Sequence, residues 1–203
     1  MPARPTEPVT GDEFARMMGC LDRRKREHAR VGALLVALRV GLRRGEIIEL
    51  QVRDVIAVDG SLCLSVRTLK QKRGKRLVRV VPIADDRSAH LLRAYMEREH
   101  GRDPMPESPL FRTLGKHGTC TVGDLTPRAV GYWVKRLAQH AGITKRVSAH
   151  SFRHGFATDL LRRGADLRTV QEVLGHASVA STSLYLHTTH ERCVEAVGRI
   201  QFE

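Results

Sequence analysis

The last third of the chain gathers the side chains best suited to chemistry: His150-Ser-Phe-Arg153-His154, then Leu174-Gly-His176, then Tyr185 within Ser181-Thr-Ser-Leu-Tyr185-Leu-His187. On a helix, residues three apart share a face, so His150 and Arg153 point an imidazole and a guanidinium together at an anion. Arg43 and Lys70 offer further cations from the first half. Arginine suits a phosphodiester because its planar fork donates two parallel hydrogen bonds and stays charged, whereas lysine can also surrender a proton to a leaving oxygen. A tyrosine hydroxyl completes a nucleophile set, since its attack on phosphorus gives a covalent phosphotyrosine. Cations around the non-bridging oxygens would stabilise the transition state without a metal. In outline this is a phosphoryl-transfer site.

The elements that must position these residues are readable in part. Pro2, Pro5 and Pro8 punctuate a leader over residues 1–9, after which Thr10 and Glu13 form a capping box that starts a helix near Gly11. Val31, Leu34, Leu35 and Leu38 follow the i, i+3, i+4, i+7 pattern of a buried stripe, which predicts a helix from about Arg30 to Val40 that leads straight into Gly41-Leu-Arg43-Arg44-Gly-Glu46. Val55–Val58 and Ser61–Val66 flank Asp59-Gly60, a dipeptide that tolerates a type I′ turn, and so predict a hairpin. A very basic connection over residues 70–76 separates it from Leu77–Val81, a third strand that Pro82 would end.

Helices are expected again from Asp86 to His100, stopped by Gly101, and from Pro127 to Ala141, where Thr126 and Pro127 fit the N-cap and first-turn positions. Residues 102–124 between them read mainly as loop. The last third reads as short helices divided by Gly164, Asp166 and Gly175, with Phe152, Phe156 and Leu160 as a buried stripe. The fold class is therefore α+β, mainly helical with one small three-stranded antiparallel sheet.

Composition narrows the partner. The 203 residues, 41% hydrophobic, are enough for a proper core. Lys and Arg number 35 against 22 Asp and Glu, a formal net charge of +13, which suits a polyanion whose condensed counterions are released on binding. Aromatic residues make up only 4%, which argues against a base-stacking platform and for duplex backbone as the ligand. Cys20, Cys63, Cys120 and Cys193 form no CxxC pair and read as reduced thiols. No apolar run is long enough to span a membrane, and no apolar signal core follows Met1. A cytoplasmic, nucleoid-associated protein without a membrane partner is the expectation.

In their order and separations, Gly41-Leu42-Arg43-x-x-Glu46, Lys70, His150-x-x-Arg153-His154, Leu174-Gly175-His176 and Tyr185 resemble the motifs of the tyrosine recombinases, the phage-integrase and Xer-like family, and specifically their catalytic domain. Any one box is weak, whereas the ordered set is strong. The resemblance implies that Arg43 and Arg153 grip the scissile phosphate and that Tyr185 is the nucleophile, forming a 3′-phosphotyrosine and freeing a 5′-hydroxyl. It implies that Lys70 protonates the leaving oxygen, that His150 assists proton transfer, and that His176 hydrogen-bonds the phosphate. Glu46 matches a carboxylate that supports the site. Rejoining is the reverse reaction, with no ATP, metal or other cofactor implied. Four protomers would act on two DNA duplexes as a homotetramer, with a monomer or dimer off DNA.

The resemblance places the catalytic domain at residues 10–186 and a tail helix at 187–203, where Val194, Val197 and Ile200 form a stripe that in relatives packs on the neighbouring protomer. Many relatives carry a helical core-binding domain before the catalytic one, and the residues before Arg43 leave two alternatives open, an excised domain or a short recombinase of the fimbrial-switch type. Phe152 stands where leucine is commoner, a change of packing rather than chemistry.

Blander readings stand beside these. Arg43 alone reads as a solvated helix-end cation, and Tyr185 alone as a half-buried core tyrosine. Lys70 competes with Lys72 and Lys75, in a loop that with Arg73 and Arg76 can also bind backbone phosphate; the register after Val66 favours Lys70. His150 and His154 lack the HExxH pattern and a third ligand, so no metal site is expected, and His154 reads as structural. Arg128 and Lys135 on the predicted 127–141 helix are further candidates for DNA contact. Two rival functions remain: a type IB topoisomerase-like strand transferase, and a non-catalytic DNA-binding regulator on the same fold.

Overall fold

Most helices here begin where a short polar side chain can take up amide protons that the first turn leaves unpaired. The computed structural model describes residues 7–22, 24–68, 78–83, 85–112 and 125–175. In chain order the elements are α1 (Gly11–Gly19), α2 (Arg26–Arg39), α3 (Arg44–Glu49), β1 (Val55–Val58), β2 (Ser61–Arg67), β3 (Val78–Pro82), α4 (Asp86–His100), α5 (Pro127–His140), α6 (Ala149–Arg162) and α7 (Leu167–Leu174). Among the described residues the protein is thus mostly helical with a small antiparallel sheet, as expected.

The capping box of Thr10 and Glu13 forms, with the two reciprocal bonds at 3.2 and 2.8 Å. Asp85, Thr126 and Asp166 cap α4, α5 and α7 by accepting backbone amides, and Ser148 caps α6 together with Ser151. Val9, placed in the leader by the sequence, is fully buried and its amide donates to the Ser151 carbonyl at 3.0 Å. The approach to α1 is therefore packed on α6.

α2 starts four residues before the expected Arg30, and its N-cap, Lys25, makes no side-chain cap. A polar first turn with no cap gives no local signal. It is held instead from outside: Arg26 Nε and Arg30 Nη2 bond Glu99 of α4 at 2.7 and 2.5 Å. Every residue from Arg30 to Leu38 is buried, so the stripe of Val31, Leu34, Leu35 and Leu38 is one side of a helix enclosed all round. α1, α3, α4, α5 and α6 all pack on it.

The sheet has the order β1-β2-β3. Val55 pairs with Leu64 and Val58 with Ser61 across a turn in which Asp59 and Gly60 both take positive φ, 48° and 77°. Cys63 pairs with Pro82 and Arg67 with Val78, so proline closes an edge strand where a missing amide costs no ladder bond. Leu62, Leu64 and Val66 turn to the core from β2, and Arg79 and Val81 from β3, while Val78 and Val80 face outward. The expected loop after α4 includes a short pairing: Leu110 and Val52 donate to the Leu50 and Ser108 carbonyls. Residues 113–124 lie outside the described residues.

α6 departs from the expected stripe. Phe152 is fully buried, but Phe156 and Leu160 are only half-buried, and Ala157 and Leu161 take the inner positions against Val170 and Leu174 of α7. α6 is wedged between α2 and α7, so two faces are covered and no single stripe describes its burial. Cys20 and Cys63 are free thiols. Among the described residues no helix is long and apolar enough to cross a membrane.

Candidate active site

Three elements, α3, β3 and α6, converge on the carbonyl end of α7. Arg43 precedes α3, a six-residue helix too short for a periodic signal, and Glu46 folds back to accept from the Arg43 amide at 2.8 Å and from its Nη1 at 2.7 Å. Arg43 Nη2 donates to the Gly175 carbonyl at 3.2 Å. Arg153, buried on α6, donates to the Gly41 and Leu174 carbonyls, each at 2.7 Å. Arg79, from the inward face of β3, donates through Nε to the Val173 carbonyl at 2.8 Å. Three arginines from three elements thus hold three consecutive carbonyls, 173 to 175, which the end of a helix leaves without intrahelical partners.

Two glycines allow this convergence. Gly175 ends α7 in the left-handed region at φ 66°, and a β-carbon there would meet Arg79 Nη1 at 2.8 Å. Gly41, at φ 84°, leaves no room for one either, with Phe156 Cδ1 at 2.6 Å and Leu174 Cδ2 at 2.8 Å. Both positions demand glycine for backbone conformation and for space.

Glu46 is the keystone of the charge arrangement. Its two oxygens accept from Arg79 Nη1 and Nη2 at 3.0 and 2.7 Å as well as from Arg43, and its side chain has no solvent exposure. Burial pushes this carboxyl up, but the hydrogen bonds and charge of Arg79, then the amide and charge of Arg43, outweigh it and hold the group below its ordinary 4.5. Glu46 is therefore ionised at neutral pH. Arg43 keeps 27% of its side chain exposed, whereas Arg79 keeps 9%.

His150 lies in the first turn of α6 on the open side. Partial dehydration of the ring, then the charges of Arg153, His154 and Arg43, lower its pKa below 6.5. At neutral pH the imidazole is accordingly uncharged and able to accept a proton. The structure thus brings Arg43, His150 and Arg153 together. Arg128 and Lys135 sit apart from them on the exposed face of α5, which reaches α3 through an Arg44 Nη1 bond to the Pro127 carbonyl at 3.5 Å. Lys70, Lys72, Arg73, Lys75, Arg76, His176 and Tyr185 lie outside the described residues. Among the described residues no group of three or more His, Cys, Asp or Glu side chains is placed to hold a metal ion.

Sequence reasoning missed Arg79. Its signal was present in the strand Val78-Arg-Val-Val81, where Arg79 shares the parity of the core residue Val81, so the pleat turns a charge inward. A buried charge needs a partner, and Glu46 is that partner.

Residues 7–192 match the Phage integrase family. The tyrosine recombinase XerD of Oceanobacillus iheyensis is 37% identical over 159 residues, covering 75% of this chain and 48% of the relative. Among solved structures, the XerA recombinase superposes with a TM-score of 0.75 at 27% identity, covering 100% of this chain and 67% of that one. A XerH site-specific recombinase bound to its palindromic difH substrate has a TM-score of 0.73 over 96% of this chain and 53% of that one; at 24% identity that likeness is one of fold. The chain spans about half the length of the curated relatives it matches. With the match covering nearly all of its residues, and two boxes of cationic side chains folded onto the end of one helix, the chain belongs to the phage integrase family, the tyrosine recombinases.

Proposed function

We propose that this chain is the strand-transfer part of a site-specific recombinase that cleaves and rejoins duplex DNA. The observation that carries the reading is the placing of Arg43 and Arg153, from boxes far apart in the chain, on successive carbonyls at the end of α7 beside an uncharged His150. Preorganised guanidinium donors in a partly enclosed site stabilise the charge that builds on phosphoryl oxygens. The likeness to a XerH recombinase that holds its difH substrate supports the same partner class here.

In this mechanism the Tyr185 hydroxyl attacks the scissile phosphorus, His150 helps to take up its proton, and a P–O bond to the 5′-oxygen breaks. Lys70 supplies the proton to that leaving oxygen. Arg43, Arg153 and His176 hold the non-bridging oxygens. The 3′-phosphotyrosine keeps the energy of the broken bond, so a 5′-hydroxyl from a partner duplex reverses the step without ATP, and the charge is met by guanidiniums rather than by a metal. The basic residues Lys72, Arg73, Lys75 and Arg76 and the exposed face of α5, with Arg128 and Lys135, track the DNA backbone. Pairing two duplexes calls for four protomers. A reaction on chromosomal DNA places the protein in the cytoplasm at the nucleoid.

Covalent trapping tests the reading. The protein is incubated with nicked duplexes tiled across the DNA flanking its own coding region, and adducts that survive denaturation are scored. The expected result is an adduct with the wild type and none with Tyr185→Phe, which still binds. No wild-type adduct despite tight binding would favour a regulator that binds DNA without cleaving it.

A further inference from the structure

We infer that Arg79 is a positioning residue for strand cleavage: it locks the carbonyl end of α7 to the carboxylate that aims Arg43. This rests on the strand-transfer reading above, and deepens it by a residue outside the recognised boxes. Every nitrogen of the Arg79 guanidinium is engaged. Nε donates to the Val173 carbonyl, Nη1 to Glu46 Oε1 and Thr68 Oγ1, and Nη2 to Glu46 Oε2. With every guanidinium nitrogen already bonded to the protein, Arg79 is suited to orient the groups that meet a phosphate rather than to meet one itself.

Two paths run from it. Through Glu46, it sets the carboxylate that takes both the amide and Nη1 of Arg43, leaving Nη2 for Gly175. Through Val173, it fixes the first of the three carbonyls whose next two receive Arg153 and Arg43. Removal of Arg79 would leave a buried carboxylate with one fewer partner, and Glu46 would then draw on Arg43 or take a proton. Either change moves the aim of Arg43 without altering what touches the DNA. Lysine cannot replace this role, because an ammonium lacks the planar fork that spans two carboxylate oxygens and a carbonyl at once.

The test compares wild type, Arg79→Lys, Glu46→Gln, the double variant, and Arg168→Ala as a control on α7, where among the described residues Arg168 forms an exposed pair with Glu172. Single-turnover cleavage of the trapped nicked duplex is measured against duplex concentration. Arg79→Lys is expected to lower the maximal rate by roughly 10- to 100-fold, as loss of a group that orients direct ligands does elsewhere, with the half-saturating concentration within about twofold of wild type. The double variant should be no slower than the slower single one, since both act on one chain of contacts. Arg168→Ala should match wild type. Amide hydrogen exchange supplies a second arm: Arg79→Lys should speed exchange at Leu174 and Gly175 and leave α2 protected.

An unchanged maximal rate, a loss seen wholly in half-saturation, independent effects in the double variant, or exchange that rises equally in α2 would each overturn the proposal. Absence of any wild-type adduct would defeat the strand-transfer reading instead. The exchange arm then still decides whether Arg79 holds α7.

Discussion

Among the described residues two buried carboxylates are each held by two arginines, and they do different work. Glu99 on α4 receives Arg26 and Arg30, both from α2, and Arg30 is only 5% exposed. Glu46 receives Arg43 and Arg79 from two different elements, and those arginines go on to the end of α7. In both, burial raises the carboxyl and the arginine hydrogen bonds and charges more than reverse it, so both lie below 4.5. The first cluster fastens one helix to another. The second reaches the site, because its arginines bond the carbonyls on either side of the one that Arg153 takes, and one of them, Arg43, stays partly exposed beside His150. A buried ion pair is thus a fastener in one place and a support for a reactive surface in the other, and the bonds leading away from it make the difference.

The widest separation should come from replacing one arginine in each region. Arg153→Lys keeps a charge and loses the fork, and cleavage per folded molecule is expected to fall by about 100- to 1,000-fold, as read by adduct formation under single-turnover conditions. Equal cleavage would remove Arg153 from the reactive surface. Arg30→Met should act on stability instead, costing about 1–3 kcal/mol because Glu99 keeps only the half-exposed Arg26 as its arginine partner, as measured by urea unfolding, while the folded fraction cleaves at the wild-type rate. A specific loss of cleavage there would erase the distinction between the two clusters.

Acid should expose what the clusters share. Carboxyls with folded pKa values below their unfolded ones contribute stability that is complete above pH 4.5 and is lost as pH falls through the lower folded values. Unfolding free energy should therefore drop with acid below pH 4.5, and Glu99→Gln and Glu46→Gln should each make that drop shallower. An unchanged slope in either variant would mean that its carboxylate carries none of the linkage. The finest distinction concerns His150. Because its pKa lies below 6.5, kcat/KM should hold level at neutral pH and fall on an acid limb whose midpoint is under 6.5. His150→Gln should abolish that limb, and a midpoint above 6.5 would contradict the neutral imidazole.

Much of this organisation is legible from residues close together in the chain. Thr10 with Glu13, Thr126 and Asp166 mark helix starts, and Asp59-Gly60 marks the hairpin, because a cap or turn involves side chains and amides only two or three positions apart. Arg43, His150 and Arg153 were likewise singled out by type and order, and the fold brings them together. The beginning of α2 and the whole of α3 were not legible, one lacking a cap and the other lacking the length for a period. The burial of α6 does not follow a single stripe in the sequence because two neighbours, rather than one, cover that helix.

The amino-acid sequence alone therefore determined the local elements, the cationic character and the set of reactive residue types, since each depends on neighbours in the chain or on composition. Only the tertiary structure decided which arginines meet which carboxylate. Arg79 joins Glu46, and Arg26 and Arg30 join Glu99, across separations that no local pattern spans. A buried charge must find its partner wherever the packing of helices and strands places one, and that packing is a property of the whole core.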